Sequence, residues 1–186
     1  MTLFLLLLAL LVIVSTTVAV VSLLYYGVFY APFVPTPMRV IRQVLEAAEL
    51  RDGQKIYDLG CGDGRLLIAA VKLKKVRAIG YEVAWLVVAM AYLRKWLLCP
   101  GADVRIIRGN FFKADLGEAD VVFCYLFPKI MHRLEKKFEA ELKQGARVLS
   151  FSFPLSHWRP VKVLKTRPDK PKNFLIYVYQ VPQTHE

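Results

Sequence analysis

The sequence predicts an α/β domain on a mostly parallel, seven-stranded sheet that ends in an antiparallel hairpin, preceded by one transmembrane helix. Three observations predict it. From Lys55 to Phe151, short apolar runs alternate with helical stretches, the pattern of strands joined by crossover helices. After Phe151 the alternation stops: Val161-Lys162-Val163-Leu164 and a run from Asn173 to Val181 are joined by Lys165 to Lys172 with no helical stretch between them. Ahead of both, Leu3 to Tyr30 is uncharged and exceeds the roughly 20 residues that span a bilayer core.

At 186 residues the chain has room for one ordinary domain and a small appendage. The hydrophobic fraction of 56% exceeds that of most soluble domains, and the excess lies before Arg39, the first charged side chain. All of the formal +11 therefore belongs to the remainder, so anionic lipid headgroups and nucleic acid are both candidate neighbours. Cys61, Cys99 and Cys124 lack C-x-x-C spacing, which argues against a disulfide framework or zinc site and for a reducing compartment. His132, His157 and His185 are far apart in sequence; they read as surface residues, and no metal is expected.

Residues 1–33 read as the anchor and 34–186 as the globular domain. A cleaved signal peptide is the competing reading, but the segment has no basic n-region and outruns the usual apolar stretch of about 7–15 residues. Tyr25, Tyr26, Phe29, Tyr30 and Phe33 cluster where the helix would leave the bilayer, and Pro32, Pro35 and Pro37 break it. Arg39 and Arg42 follow, so the positive-inside rule puts the domain in the cytoplasm or its organellar equivalent.

Thr36 as N-cap and Pro37 at the first helical position suit a helix carrying Val40, Ile41, Val44, Leu45 and Ala48 on one face. Arg51-Asp52-Gly53 closes it, and Lys55 to Leu59 is the first strand. It runs into Asp58-Leu59-Gly60-Cys61-Gly62-Asp63-Gly64-Arg65. The alternate glycines allow positive φ and close backbone approach to a ligand at a helix N-terminus. A dinucleotide fingerprint counted from Gly60 would need glycine at position 65, where Arg65 stands. The loop therefore points to an adenosine-type cofactor other than a dinucleotide.

A helix from Arg65 to Leu73 precedes a second strand, Val76 to Glu82. Glu82 at its tip can accept hydrogen bonds from both ribose hydroxyls, or can be a solvated strand-end acid. A helix from Ala84 to Leu98 and a strand from Val104 to Arg108 lead to Asn110, placed to bond an adenine amine. Phe111 and Phe112 beside it suit either a ring contact or the core. Ala119 to Pro128 is an apolar run suited to a strand buried on both faces beside the first, with its exit at the reacting end of the cofactor. A helix from Lys129 to Gln144, a stop at Gly145 and a strand from Ala146 to Phe151 complete the alternation. Lys72-Leu73-Lys74-Lys75 and Lys136-Lys137 read as solvated helix faces or ends, with membrane-surface contact the alternative.

The acid-x-Gly-x-Gly-x-Gly spacing from Asp58 to Gly64, with the terminal hairpin, resembles the Rossmann-like class I S-adenosyl-L-methionine-dependent methyltransferases. Val34-Pro35-Thr36-Pro37 after an anchor, Asp63-Gly64-Arg65, Gly80-Tyr81-Glu82 and Trp158-Arg159-Pro160 narrow the resemblance. They look like the membrane-anchored protein-lysine methyltransferases that include the enzymes for the ATP synthase c subunit and the ADP/ATP carrier, with their prokaryotic relatives. The resemblance implies S-adenosyl-L-methionine as cofactor. Gly60, Cys61, Gly62 and Gly64 would lie along its methionine moiety, with Cys61 where the group often has serine. Asp58 would order the loop or meet the amino group, Glu82 would bind ribose, and Asn110 and Phe111 would bind adenine. Thr36 would cover the cofactor carboxylate or serve only as a cap, and Asp63 and Arg65 would pair with each other or contact cofactor.

Tyr125, Phe127 and Pro128 are the candidate walls of the acceptor slot. No catalytic base is assigned, because Asp120 sits too early in its strand. The function implied is membrane-tethered lysine methylation of a protein near the bilayer surface. A nucleic-acid (RNA) methyltransferase is the alternative that the charge favours, although Cys124 to Pro128 lacks the Asn/Asp-Pro-Pro-Tyr signature of amino-group nucleic-acid methylation. A small-molecule or lipid methyltransferase and a non-enzymatic membrane protein retaining the fold are further alternatives. The N-terminus has no Arg-rich presequence, so a prokaryotic inner membrane is expected, or the mitochondrial inner membrane in a eukaryote.

Overall fold

The computed structural model of the chain describes residues 2–29, 34–167 and 174–181. The elements are α1 (Thr2–Phe29), α2 (Met38–Ala48), β1 (Lys55–Leu59), α3 (Arg65–Leu73), β2 (Arg77–Glu82), α4 (Trp85–Leu98), β3 (Val104–Arg108), β4 (Val121–Cys124), α5 (Pro128–Glu141), β5 (Arg147–Phe151), β6 (Lys162–Lys165) and β7 (Leu175–Gln180). A 3₁₀ turn, Phe111–Lys113, stands where a helix between β3 and β4 would be. The chain separates into two compact units, Met1–Val34 and Pro35–Glu186.

In the first unit, α1 carries an uncharged stretch, Thr2–Val21, of mean hydropathy 2.9. Its length and composition suffice to cross a bilayer. The expected aromatic belt, Tyr25 to Phe33, lies outside the described side chains, as do most of the hairpin connection at residues 168–173 and His185.

In the second unit the sheet order is β3-β2-β1-β4-β5-β7-β6. The pairings among the first five strands in that order are parallel, whereas β7 runs antiparallel to both β5 and β6. The reason lies in the connections. Crossover connections, helical through α3, α4 and α5 and irregular between β3 and β4, carry the chain back to the start of the sheet and permit parallel pairing; β7 follows β6 without one. The strand order reverses between β1 and β4, so the crevice for a ligand opens outside the carboxyl ends of those two strands.

Side chains of the central strands alternate between two cores. Ile56, Ala78, Val121, Phe123 and Leu149 face α2, α3 and α4, while Tyr57, Ile79, Val122, Cys124 and Val148 face α5. Gly80 sits on the first face, where a Cβ would fall 2.5 Å from Leu67 and 2.6 Å from the Cys61 sulfur. Only glycine lets α3 and the loop before it settle directly on β2. The element boundaries match expectation to within a residue or two at most ends, but β4 uses only four residues of the long apolar run. Its remainder, Tyr125 to Phe127, turns into α5.

One expectation is corrected. Thr36 does not cap α2; Pro37 holds the N-cap position with φ −59° and ψ 141°, and no side chain bonds to the helix end. The pyrrolidine ring fixes φ but leaves ψ free to stay extended, so helical geometry begins one residue later than the first-turn preference of proline suggests. The Pro37 carbonyl still accepts the first helical bond, from the Ile41 amide at 3.1 Å.

Candidate active site

The loop between β1 and α3 is shaped by its glycines, with φ of 85° at Gly60, 55° at Gly62 and 73° at Gly64. Gly60 and Cys61 donate their amides to the Tyr81 carbonyl at 2.8 and 2.9 Å, tying the loop to β2. At the tip of β2, the Glu82 carboxylate accepts from the amides of Val83 (2.8 Å), Ala84 (2.9 Å) and Gly62 (3.2 Å). Three backbone donors fix its orientation and leave acceptor capacity toward the rim of the crevice.

Asp58, on β1 beneath the loop, is 3% exposed and its side chain has no hydrogen-bond partner among the described residues. Burial, then the nearby Glu82 and Asp63 carboxylates, push its carboxyl up to about 8. A buried acid in this condition fits a cationic ligand group, and the ammonium of an amino-acid moiety is one. This is the observation by which the site fits S-adenosyl-L-methionine: an unpaired acid under a glycine loop, and a second acid on the neighbouring strand tip.

Asp63 behaves in the opposite way. Burial pushes its carboxyl up, but a two-pronged pairing with Arg65 (2.7 and 2.8 Å) and the Arg94 guanidinium at 2.9 Å more than offset that and hold it low. Arg65 also donates to the Thr36 carbonyl at 3.1 Å. Of the two readings of Asp63 and Arg65, the structure has them paired. Thr36 is buried beside them, held through its backbone. Arg94 in α4 was not anticipated; a lone guanidinium inside an apolar helix is the signal that could have found it.

Asn110 lies exposed at the start of the 3₁₀ turn, its side-chain oxygen accepting from the Phe112 amide at 3.0 Å. Phe111 is half-buried against Phe112, ring centroids 5.0 Å apart, at the edge of the α5-side core. Cys61 and Cys124 are buried, which raises both thiols well above the usual range and leaves them small packing groups.

At the exits of β4 and β5, Tyr125 packs on Phe151 at 4.7 Å and Phe127 on Phe153 at 6.2 Å. Phe127 caps α5 and is half exposed, and Pro128 is the first helical residue. Sequence reading missed Phe174, which meets Phe151 at 5.7 Å, and Ser152. Ser152 has φ 72° and a buried hydroxyl without a partner. Asp120 accepts from the Lys55 amide and pairs with Lys143, at the end of β4 away from the loop. His132 and His157 come together, ring centroids 5.7 Å apart, although they are distant in sequence. Buried Glu135 between them accepts from the His157 ring and the amides of Ser156, His157 and Trp158, so its oxygens are committed to holding the segment after β5.

The ANTKMT methyltransferase domain family matches residues 58–162, from Asp58 of the loop to the start of β6. A protein-lysine N-methyltransferase of Saccharolobus islandicus is 39% identical over 82% of this chain and 94% of its own. The adenine nucleotide translocase lysine N-methyltransferase of Mus musculus is 37% identical over 75% of this chain, which spans 60% of the mouse protein. A crystal structure of an RNA methyltransferase from Salinibacter ruber with S-adenosyl-L-homocysteine superposes with a TM-score of 0.72, at 32% identity over 82% of this chain and 97% of that one. With its glycine loop, strand-tip acid and terminal hairpin, the chain belongs to the ANTKMT methyltransferase domain family and is an S-adenosyl-L-methionine-dependent methyltransferase.

Proposed function

We propose that this protein is a membrane-tethered protein-lysine N-methyltransferase. The 39% identity to a protein-lysine N-methyltransferase over most of both chains carries the reading, and the openness of the acceptor side supports it. Among the described residues only a 3₁₀ turn joins β3 to β4, and no helix follows β5. A small acceptor needs enclosure to exclude water; a lysine presented by a folded protein brings its own cover. The uncharged α1 supports the tether, and holding the domain at a bilayer raises its effective concentration near membrane-protein acceptors.

In this reading Asp58 receives the cofactor ammonium, Gly60, Cys61, Gly62 and Gly64 pass along the methionine moiety, and Glu82 holds the ribose. Asn110 and Phe111 flank the adenine, and Thr36 closes the methionine end. When bound, S-adenosyl-L-methionine supplies a methyl group on a sulfonium for in-line displacement. The chain's own work is alignment and desolvation. Tyr125, Phe127 and Pro128 form an apolar slot that favours a neutral lysine amine over the ammonium whose ordinary pKa is about 10.4. Residues 1–33 form the tether and 34–186 the catalytic domain, on the cytoplasmic side of a prokaryotic inner membrane or its mitochondrial equivalent.

A second reading, RNA methylation, is favoured by the +11 charge and by the name of the Salinibacter relative. One experiment separates them. Full-length protein and methyl-labelled cofactor are incubated with membranes and total RNA from cells lacking the gene. Label in a discrete protein band, recovered as methyllysine, is expected; label confined to RNA overturns the lysine reading.

A further inference from the structure

The outward face of α4 is apolar along its whole length. Trp85, Met90, Leu93, Trp96 and Leu97 are exposed, Trp96 by 69% and Leu97 by 61%, with Ala89 between them. At helical spacing these positions share one side, and Val87, Val88 and Ala91 point to the core from the other. A solvated surface helix carries charged side chains on its outer face. Here the two charged residues of α4 turn inward instead: Arg94 reaches Asp63, and Lys95 donates to the Val104 carbonyl at 2.7 Å. A contiguous exposed apolar face of this kind marks an interaction site.

Basic groups lie across a groove that flanks one edge of α4, at Arg94 and Leu98. A groove of about 390 Å³ runs between α2, α3 and α4; Leu98 and Leu73 contribute to its apolar lining, and Arg42 and Lys72 are exposed side chains along it. Glu46 is the acid on that lining, and exposed Lys74 and Lys75 follow at the end of α3. Aromatic and aliphatic side chains flanked by lysine and arginine are what an interfacial membrane contact presents to acyl chains and anionic headgroups. Trp96, the most exposed residue of the face, carries an indole suited to the headgroup level.

We propose that the outer face of α4, with Arg42 and Lys72 across the groove at its edge and Lys74 and Lys75 following at the end of α3, docks the catalytic domain on the surface of an anionic bilayer. This contact is separate from any span by α1 and independent of which acceptor is methylated.

The test uses the full chain with vesicles of phosphatidylcholine alone or mixed with phosphatidylglycerol, the acyl chains brominated to quench nearby tryptophan. Co-flotation, read separately, reports insertion of α1. The expected result is quenching in the anionic vesicles that falls when Trp96→Phe removes the responsive indole, and that weakens in phosphatidylcholine alone or at high salt. The combined variant Lys72→Glu, Lys74→Glu, Lys75→Glu should lower vesicle-dependent quenching about tenfold, with cofactor binding retained as evidence of folding. Quenching unchanged by Trp96→Phe, or equal in neutral and anionic vesicles, overturns the proposal. Concentration-dependent dimerisation that shields Trp96 also overturns it, assigning the face to a second copy. Co-flotation without Trp96 quenching would leave the tether standing and remove the docking face.

Discussion

The two ends of the crevice are built differently. At the β1–β2 end, backbone geometry and buried charge define the site: three left-handed glycines, an unpaired Asp58, and Glu82 held by three amides. At the β4–β5 end, exposed and half-buried aromatic side chains, Tyr125, Phe127, Phe153 and Phe174, define it. In the proposed reading, a cofactor of constant shape rewards fixed donors and acceptors, whereas an acceptor that is itself a macromolecule is met by adaptable apolar surface. Substitutions at the first end should therefore act on cofactor affinity, and those at the second on acceptor turnover.

The largest effect is expected at Asp58. Asp58→Asn should weaken S-adenosyl-L-methionine binding on the order of 100-fold by titration calorimetry, since an ammonium loses its charged partner. In the free protein the same change should raise the melting temperature. With its carboxyl pushed up to about 8 in the fold, against about 3.9 for an unperturbed aspartate, Asp58 favours the fold most below about pH 4 and loses that contribution as pH rises to about 8. The advantage of the variant should therefore grow across that window. Below pH 8 the wild-type carboxyl must release a proton to pair with an ammonium, so cofactor affinity should rise with pH up to about 8, by at most tenfold per unit. A pH-independent affinity in wild type would break the contrast at its centre.

Asp63→Asn should cost about 2 kcal/mol in urea unfolding, because Arg65 and Arg94 lose a common partner in a partly buried setting. At the other end, Phe127→Ala should lower kcat/KM for the protein acceptor about tenfold while cofactor affinity stays within twofold, as expected of one lost apolar contact. A matching fall in cofactor affinity would erase the division between the two ends. The smallest effect is expected at Ser152, whose left-handed backbone and unpartnered hydroxyl are both unfavourable in the free protein. Ser152→Gly should stabilise the fold by about 1 kcal/mol, read as a raised denaturation midpoint.

Legibility in the sequence followed the same division. Gly60, Gly62, Gly64 and Glu82 could be placed because a strand-turn-helix junction fixes its own geometry over a few residues. The partners that complete it could not. Tyr81 supplies a carbonyl, Gly80 supplies room, and Arg94 arrives from a helix 31 positions after Asp63 in the sequence. Thr36 illustrates the limit on the other side: a cap inferred from residue type was displaced by one position, because helix ends are set by competing backbone bonds that a local pattern does not rank.

By itself the sequence determined the order of elements, the uncharged apolar α1 and the kind of cofactor loop, since all three rest on local periodicity and on what glycine and proline permit. Only the tertiary structure decided which charges are satisfied. Asp58 and Asp63 stand five residues apart with the same side chain, one unpaired with its carboxyl pushed up to about 8, the other clamped by two guanidiniums. It also decided which of the apolar residues of α4 face outward and which enter the core. The reason is the same in both cases: burial and pairing depend on what other segments bring to a residue, and that is settled only when the sheet and its helical layers close together.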